Sequence, residues 1–119
     1  METRRPAWIY RDGQEPDPRF SLANERTFLA WVRTALAMLA GAIALDSLEV
    51  PEPGWLRTTL VVALVLFGGL VTAAAFRRWM RVEHAMRTGA PLPTFTLGLV
   101  VTAAIVVVAG LLAVALLVS

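Results

Sequence analysis

Three long apolar blocks dominate the order of hydrophobic and polar residues along the chain. They cover residues 27–45, 58–76 and 95–118, and the second and third blocks contain no charged residue. Each block is close in length to the roughly 20 apolar residues that a helix needs to cross a hydrocarbon core. The pattern therefore predicts an all-α integral membrane protein with three transmembrane helices.

A soluble fold would need more covering sequence than the chain contains. Helices that are apolar on every side have to be buried on every side. Because 57% of the 119 residues are hydrophobic, too few polar residues remain to cover three such helices. We therefore expect the excess apolar surface to face the lipid bilayer.

Polar, proline-rich sequence precedes the first block. Residues 1–17 combine prolines, arginines and acidic side chains with one small apolar cluster, so we expect a mobile cytoplasmic tail. Residues 18–118 are then the membrane domain. At the junction, Asp17 and Pro18 have the residue types of a helix N-cap and a first helical position. They predict a short interfacial helix over residues 19–26, ahead of the first span.

Helix-breaking residues separate the three blocks. Residues 46–54 contain two prolines and a glycine among acidic side chains, which predicts a short loop. The second helix is expected to continue past its apolar block to Gly89, a C-cap glycine with two prolines beyond it. The first block contains Arg33 and follows a long acidic region, so it is interpreted as a retained anchor and not as a signal peptide.

Arginines are distributed unequally between the two ends of the blocks. Nine lie before the first block or after the second, and one lies in the first loop. The nine are Arg4, Arg5, Arg11, Arg19, Arg26, Arg77, Arg78, Arg81 and Arg87, and the one is Arg57. By the positive-inside rule, the N-terminus and the second loop are cytoplasmic and the C-terminus is outside. The predicted location is the cytoplasmic membrane, which in a bacterium is the inner membrane.

One unusual chemical feature enters the membrane. Arg19, Arg26 and Arg33 are spaced by seven residues, so on a helix they drift only about 20° per step and form a ladder with rungs about 10 Å apart. Arg33 is expected roughly 10 Å below the inner boundary of a hydrocarbon core about 30 Å thick. Small residues share this face; they are Ala30, Ala37, Ala40 and Ala44. The ladder predicts an anion-binding face, which either lines a helix interface or path or lets Arg33 snorkel between lipids.

The remaining charged residues suggest structural pairs and no catalytic group. Glu25 is predicted to form an ion pair with Arg77 or Arg81, and Glu83 has i,i+4 spacing to Arg87. No catalytic triad, carboxylate dyad, phosphate loop or set of metal ligands can be built from the chain, which also lacks cysteine. We therefore expect no enzyme activity, no cofactor, no metal site and no nucleic-acid partner.

The segment from Ser21 to Thr34 resembles the opening of the YidH-like family, small bacterial membrane proteins grouped as domain of unknown function 202. The specific part is residues 24–29, Asn-Glu-Arg-Thr-Phe-Leu, together with Trp31. The resemblance extends over about residues 18–118. It also links the chain to the membrane portion of the fungal vacuolar transporter chaperone, whose subunits assemble into a ring that conducts polyphosphate.

The resemblance implies a role for part of the ladder. In the fungal relative, the basic residues that match Arg19 and Arg26 face the conduit, although this chain has no basic residue between Gly89 and Phe95. The functional hypothesis is a homo-oligomeric module that binds or conducts phosphate or polyphosphate. The alternative is a structural or accessory membrane subunit with no transport activity of its own.

Overall fold

The computed structural model describes residues 3–118, which form four α-helices and no strand. The helices are α1 (Ala7–Arg11), α2 (Pro18–Ser47), α3 (Gly54–Thr88) and α4 (Thr96–Val118). Helices α2, α3 and α4 are long and apolar enough to cross a membrane. The predicted all-α fold with three spans and a short preceding helix is confirmed.

The long helices extend well beyond the apolar blocks. With 30 and 35 residues, α2 and α3 measure about 45 and 52 Å at 1.5 Å per residue. A hydrocarbon core is only about 30 Å thick, whereas the molecule is 59 Å long. The first turns of α2 and the last turns of α3 therefore lie outside the apolar region and provide a polar platform at one end of the molecule.

The short helix that precedes the spans is not at the predicted position. Residues 19–26 are the first turns of α2, because no proline or glycine interrupts the chain between Pro18 and Gly41. The separate short helix is α1. The helix-end predictions are confirmed: Asp17 accepts a hydrogen bond from the Arg19 backbone N–H at 2.9 Å, and Gly89 ends α3 with a φ of 72°.

Helix α3 lies between α2 and α4. Within the described residues, no Cα atom of α2 lies within 8 Å of a Cα atom of α4. The main buried cluster joins all three helices through their small and branched side chains; it comprises Ala35, Met38, Val71, Ala75, Leu97, Val101 and Ala104. Gly68 allows the close approach of α2, because a Cβ there would lie 3.2 Å from the Ala35 carbonyl oxygen. The arrangement leaves the outer faces of α2 and α4 uncovered.

The N-terminal segment packs on the polar end of α3. The Ile9 side chain is fully buried, and α1 contacts α3. Composition predicts a mobile tail over residues 1–17, and its mobility stays a prediction. In the structure, residues 4–15 make specific contacts that are described below. Main-chain carbonyl groups, which leave no trace in a sequence, accept two of the hydrogen bonds from Arg87.

Candidate functional site

The three ladder arginines lie on the uncovered face of α2. Arg19, Arg26 and Arg33 are all exposed. The buried residues of α2 that pack on α3 include Asn24, Ala35, Met38 and Ala42. At about 100° per residue, the buried face and the ladder are centred about 160° apart around the helix. The tertiary packing therefore directs the ladder away from the rest of the chain.

Small residues accompany the arginines on this uncovered face. The four alanines that the sequence places there are exposed; they are Ala30, Ala37, Ala40 and Ala44. A helix surface of alanine and arginine presents little volume beside each guanidinium group. Another helix could approach it closely, or a hydrated ion could occupy the space that larger side chains would fill.

The ladder arginines differ in their ion-pair partners. The Arg19 guanidinium lies 2.9 Å from the Asp17 carboxylate, and its hydrogen bonds hold the pKa of Asp17 below its ordinary value. Between residues 3 and 118, no carboxylate lies within ion-pair distance of Arg26 or Arg33. Arg26 and Arg33 therefore retain full capacity for an external anion, whereas Arg19 would have to share its charge.

The predicted ion pair of Glu25 with Arg77 or Arg81 is not formed in the structure. Glu25 borders a groove lined by Phe76 and Trp79 on one side of α3. Arg77 and Arg81 line a different pocket, on the side of α3 that faces α4. The two arginines lie too far around α3 from Glu25, since residues 76 and 79 lie more than a quarter turn from 77 and 81.

A buried polar cluster joins α2 to α3 through residues other than those that the sequence predicted to pair. The Ser21 hydroxyl donates to Glu83 Oε1 at 2.9 Å, and the Asn24 amide donates to the Trp79 carbonyl oxygen at 3.1 Å. Asn24 and Glu83 are 5% and 4% exposed. The i,i+4 spacing had suggested that Glu83 pairs with Arg87. In the structure, Glu83 instead accepts a hydrogen bond from α2. The sequence signal that could have predicted this cluster is the recurrence of polar residues, Ser21 and Asn24, on the face of α2 that packs on α3.

Arg87 holds the N-terminal segment by three separate bonds. Its guanidinium donates to the Tyr10 carbonyl oxygen at 2.7 Å, to the Asp12 carbonyl oxygen at 3.0 Å and to Glu15 Oε1 at 3.0 Å. Arg87 is 7% exposed. Gly13 passes so close to α3 that any Cβ there would clash with the Arg87 carbonyl, and its φ is 66°. These contacts hold the N-terminal segment against the last turn of α3.

Glu15 couples this docking to pH. The hydrogen bonds from Arg4 and Arg87 lower the pKa of Glu15 from 4.5 to about 2. Docking favours the ionised form of Glu15. The stabilisation that this carboxylate gives to the docked segment is therefore complete above pH 4.5 and is lost as the pH falls towards about 2. We expect the protection of residues 7–11 against hydrogen exchange, taken relative to the intrinsic exchange rate at each pH, to fall over this range, by a small factor because Glu15 is solvent-exposed. Glu15→Gln should exchange faster at neutral pH and lose this part of the pH dependence; an identical pH profile in both proteins would contradict the coupling.

Comparison with known proteins identifies the family. The profile described as "Domain of unknown function (DUF202)" matches residues 19–85, which include the whole ladder and the buried cluster of Ser21, Asn24 and Glu83. The chain belongs to the DUF202 family. No solved structure matches it.

The relatives of this DUF202 chain are membrane proteins or uncharacterized. Inner membrane protein YidH of Escherichia coli strain K12 is 46% identical over 103 residues, which are 85% of this chain and 89% of YidH. The protein of the same name from Shigella flexneri has the same identity. Uncharacterized protein Rv2272 of Mycobacterium tuberculosis strain H37Rv is 52% identical over 82 residues, or 66% of each chain. The chain is thus a small inner-membrane protein of the DUF202 family, as the sequence predicted.

Within residues 3–118, no three His, Asp or Glu side chains are grouped closely enough to hold a metal ion. The relatives' names assign no enzyme activity. The absence of enzyme activity and the anion-binding role of the ladder both stay predictions.

Proposed function

We propose that the chain is a homo-oligomeric module that binds or conducts phosphate or polyphosphate along the ladder of Arg19, Arg26 and Arg33. The observation that carries the proposal is the uncovered position of Arg33 in α2, on a face lined by alanines and turned away from α3. A charged arginine at the centre of a spanning helix costs about 2.5 to 3.5 kcal/mol on insertion scales. Among residues 3–118, no carboxylate lies within ion-pair distance of Arg33 to offset that cost.

A second copy of the chain can offset the cost of placing Arg33 within the membrane. If the alanine-rich faces of several α2 helices surround a common space, water and anions there solvate Arg26 and Arg33 in place of lipid tails. The mechanism would be electrostatic, with each anion passed between guanidinium groups about 10 Å apart. The resemblance to the fungal ring, in which residues matching Arg19 and Arg26 face a conduit, supports the same assembly.

The accessory-subunit alternative uses the same exposed face differently. A lipid-facing Arg33 could reach the headgroup phosphates by extending its side chain along α2. The protein would then anchor a partner or set its depth in the bilayer without moving any anion. The two functions differ in whether the ladder faces a shared aqueous space.

The proposed topology places the N-terminus in the cytoplasm and the C-terminus outside. It is supported by the nine-to-one distribution of arginines. Single cysteines at the exposed positions Thr3 and Thr88 should be protected from an impermeant thiol reagent in intact cells, whereas a cysteine at Ser47 should react. Because the natural chain has no cysteine, each signal reports one position. Labelling of Thr88→Cys from outside would contradict the topology.

Flux through liposomes tests the function directly. Purified protein should have the mass of more than one protomer in mild detergent and should carry phosphate or polyphosphate into liposomes. Arg26→Ala should reduce that flux strongly, since it removes a rung that has no carboxylate partner among the described residues. Arg11→Ala is the matched control, because Arg11 is an exposed arginine in α1 away from the ladder. A monomer in several detergents and in nanodiscs would exclude the conduit and favour the accessory role.

A further inference from the structure

A second cationic group lies on α3, apart from the ladder. The side chains of Arg77, Arg78 and Arg81 line a pocket of about 500 Å³. Its other walls are the loop after Gly89 and the first turns of α4. The pocket is therefore a wedge between α3 and α4, at the end of the molecule where the two helices are connected.

Residues 3–118 do not balance the positive charge in this pocket. None of the residues that line it is acidic. Among the described residues, no carboxylate lies within 4.0 Å of the three guanidinium groups, since the ion pairs there involve other cations. Three like charges around one space repel each other, and an anion bound between them would relieve that repulsion. The pocket is thus suited to a negatively charged ligand.

Hydrogen-bond donors accompany the positive charges. The hydroxyl groups of Thr94 and Thr96 border the pocket, with their oxygen atoms 2.9 Å apart. Thr96 is also the first residue of α4, whose initial backbone N–H groups have no partner within the helix. In proteins, phosphate oxygens accept hydrogen bonds from guanidinium groups, hydroxyl groups and helix-end amides.

The opposite side of the pocket is apolar. Ala74, Leu97 and Val100 line it, and Leu97 also belongs to the buried cluster between the helices. Arg77 directly follows the apolar block 58–76, and Arg81 is one turn, about 6 Å, further along the axis. The polar donors therefore lie at the level of the headgroups, and the apolar wall lies at the level of the acyl chains.

We propose that this pocket binds the headgroup of an anionic phospholipid. The phosphate would lie among Arg77, Arg78 and Arg81, and an acyl chain would follow the apolar surface of Leu99 on α4, which is 66% exposed. A free phosphate ion would use the guanidinium groups but gain nothing from the apolar wall. The pocket combines a cationic side and an apolar side at the membrane boundary, and this combination favours a lipid. The proposal does not depend on the ladder or on the orientation of the chain.

Native mass spectrometry of the full chain in mild detergent tests the lipid site. Phosphatidylglycerol and phosphatidylcholine with the same acyl chains are added in turn. Wild type should retain phosphatidylglycerol more strongly than phosphatidylcholine. Each basic residue near a membrane surface contributes about 1 kcal/mol to anionic-lipid binding, so one Arg→Gln change should weaken it about fivefold and the triple change on the order of a hundredfold.

Two further triple variants separate a specific site from general charge. R5Q/R11Q/R57Q removes the same charge away from the pocket and should bind phosphatidylglycerol as wild type does. R77K/R78K/R81K keeps the charge and should recover much of the affinity, less the part due to bidentate contacts. Equal losses in the pocket and control triples, or equal binding of the two lipids by wild type, would overturn the proposal.

Competition with inorganic phosphate distinguishes a site for a lipid headgroup from a site for a free phosphate ion. Added at millimolar concentration, inorganic phosphate should not displace bound phosphatidylglycerol from wild type, because it has no apolar part to occupy the second half of the pocket. Displacement that depends on Arg77, Arg78 and Arg81 would identify a site for free phosphate and would contradict the assignment to a lipid.

Discussion

Arg33→Leu is expected to abolish most of the anion binding or flux of the assembled protein while leaving insertion intact. The substitution removes the deepest rung of the ladder, about 10 Å from Arg26 at 1.5 Å per residue. Leucine is also more favourable than arginine within a spanning helix, so the folded protein should be no less stable. Phosphate or polyphosphate binding to purified protein, measured by calorimetry, checks the first effect, and thermal unfolding checks the second.

Arg33→Lys is the variant that isolates charge from shape. It should keep much of the binding, although less where a phosphate is held by two guanidinium N–H groups at once. Leu36→Ala is a structural control, since Leu36 is an exposed residue of α2 outside the ladder. Equal anion affinity in wild type, Arg33→Leu and Arg33→Lys would show that the arginine only sets the position of the helix among lipids.

Arg87→Ala is expected to release the N-terminal segment from α3. Arg87 is almost fully buried and donates to two carbonyl groups and to the Glu15 carboxylate. Removing the charged donor should cost about 2 to 4 kcal/mol of docking free energy, because bonds to a charged group are among the stronger ones. Hydrogen exchange of residues 7–11, followed by mass spectrometry, should then approach that of an unfolded peptide.

The membrane domain should remain folded in this variant. The buried clusters between the long helices do not include Arg87, so the unfolding of α2, α3 and α4 should change little. Arg87→Lys should restore only part of the protection, since one ammonium group cannot reach all three acceptors in the same geometry. Gly13→Ala provides an independent route to the same release, through a clash with the Arg87 carbonyl. Unchanged exchange in both Arg87→Ala and Gly13→Ala would contradict the docking.

The ladder shows how far sequence reasoning reaches towards the candidate site. The spacing of Arg19, Arg26 and Arg33 was sufficient to place them on one face, because the period of an α-helix is local geometry. The spacing did not determine what that face contacts. The ion pair that the sequence predicted for Glu25 is absent from the structure for the same reason: pairing across helices depends on how α2 and α3 are rotated about their axes, and the positions of charges along the sequence do not specify that rotation.

The sequence by itself determined the three spans and the main helix ends. Long apolar blocks can only be satisfied by lipid, and the ends depend on local chemistry, as at Asp17 and Gly89. Only the tertiary structure decided which face of α2 is covered and that the N-terminal segment docks on α3. In a membrane, lipid is as apolar as a neighbouring helix, so hydrophobicity does not select the packed face. The docking depends on main-chain carbonyl groups that every residue carries, and only the folded chain brings them to Arg87.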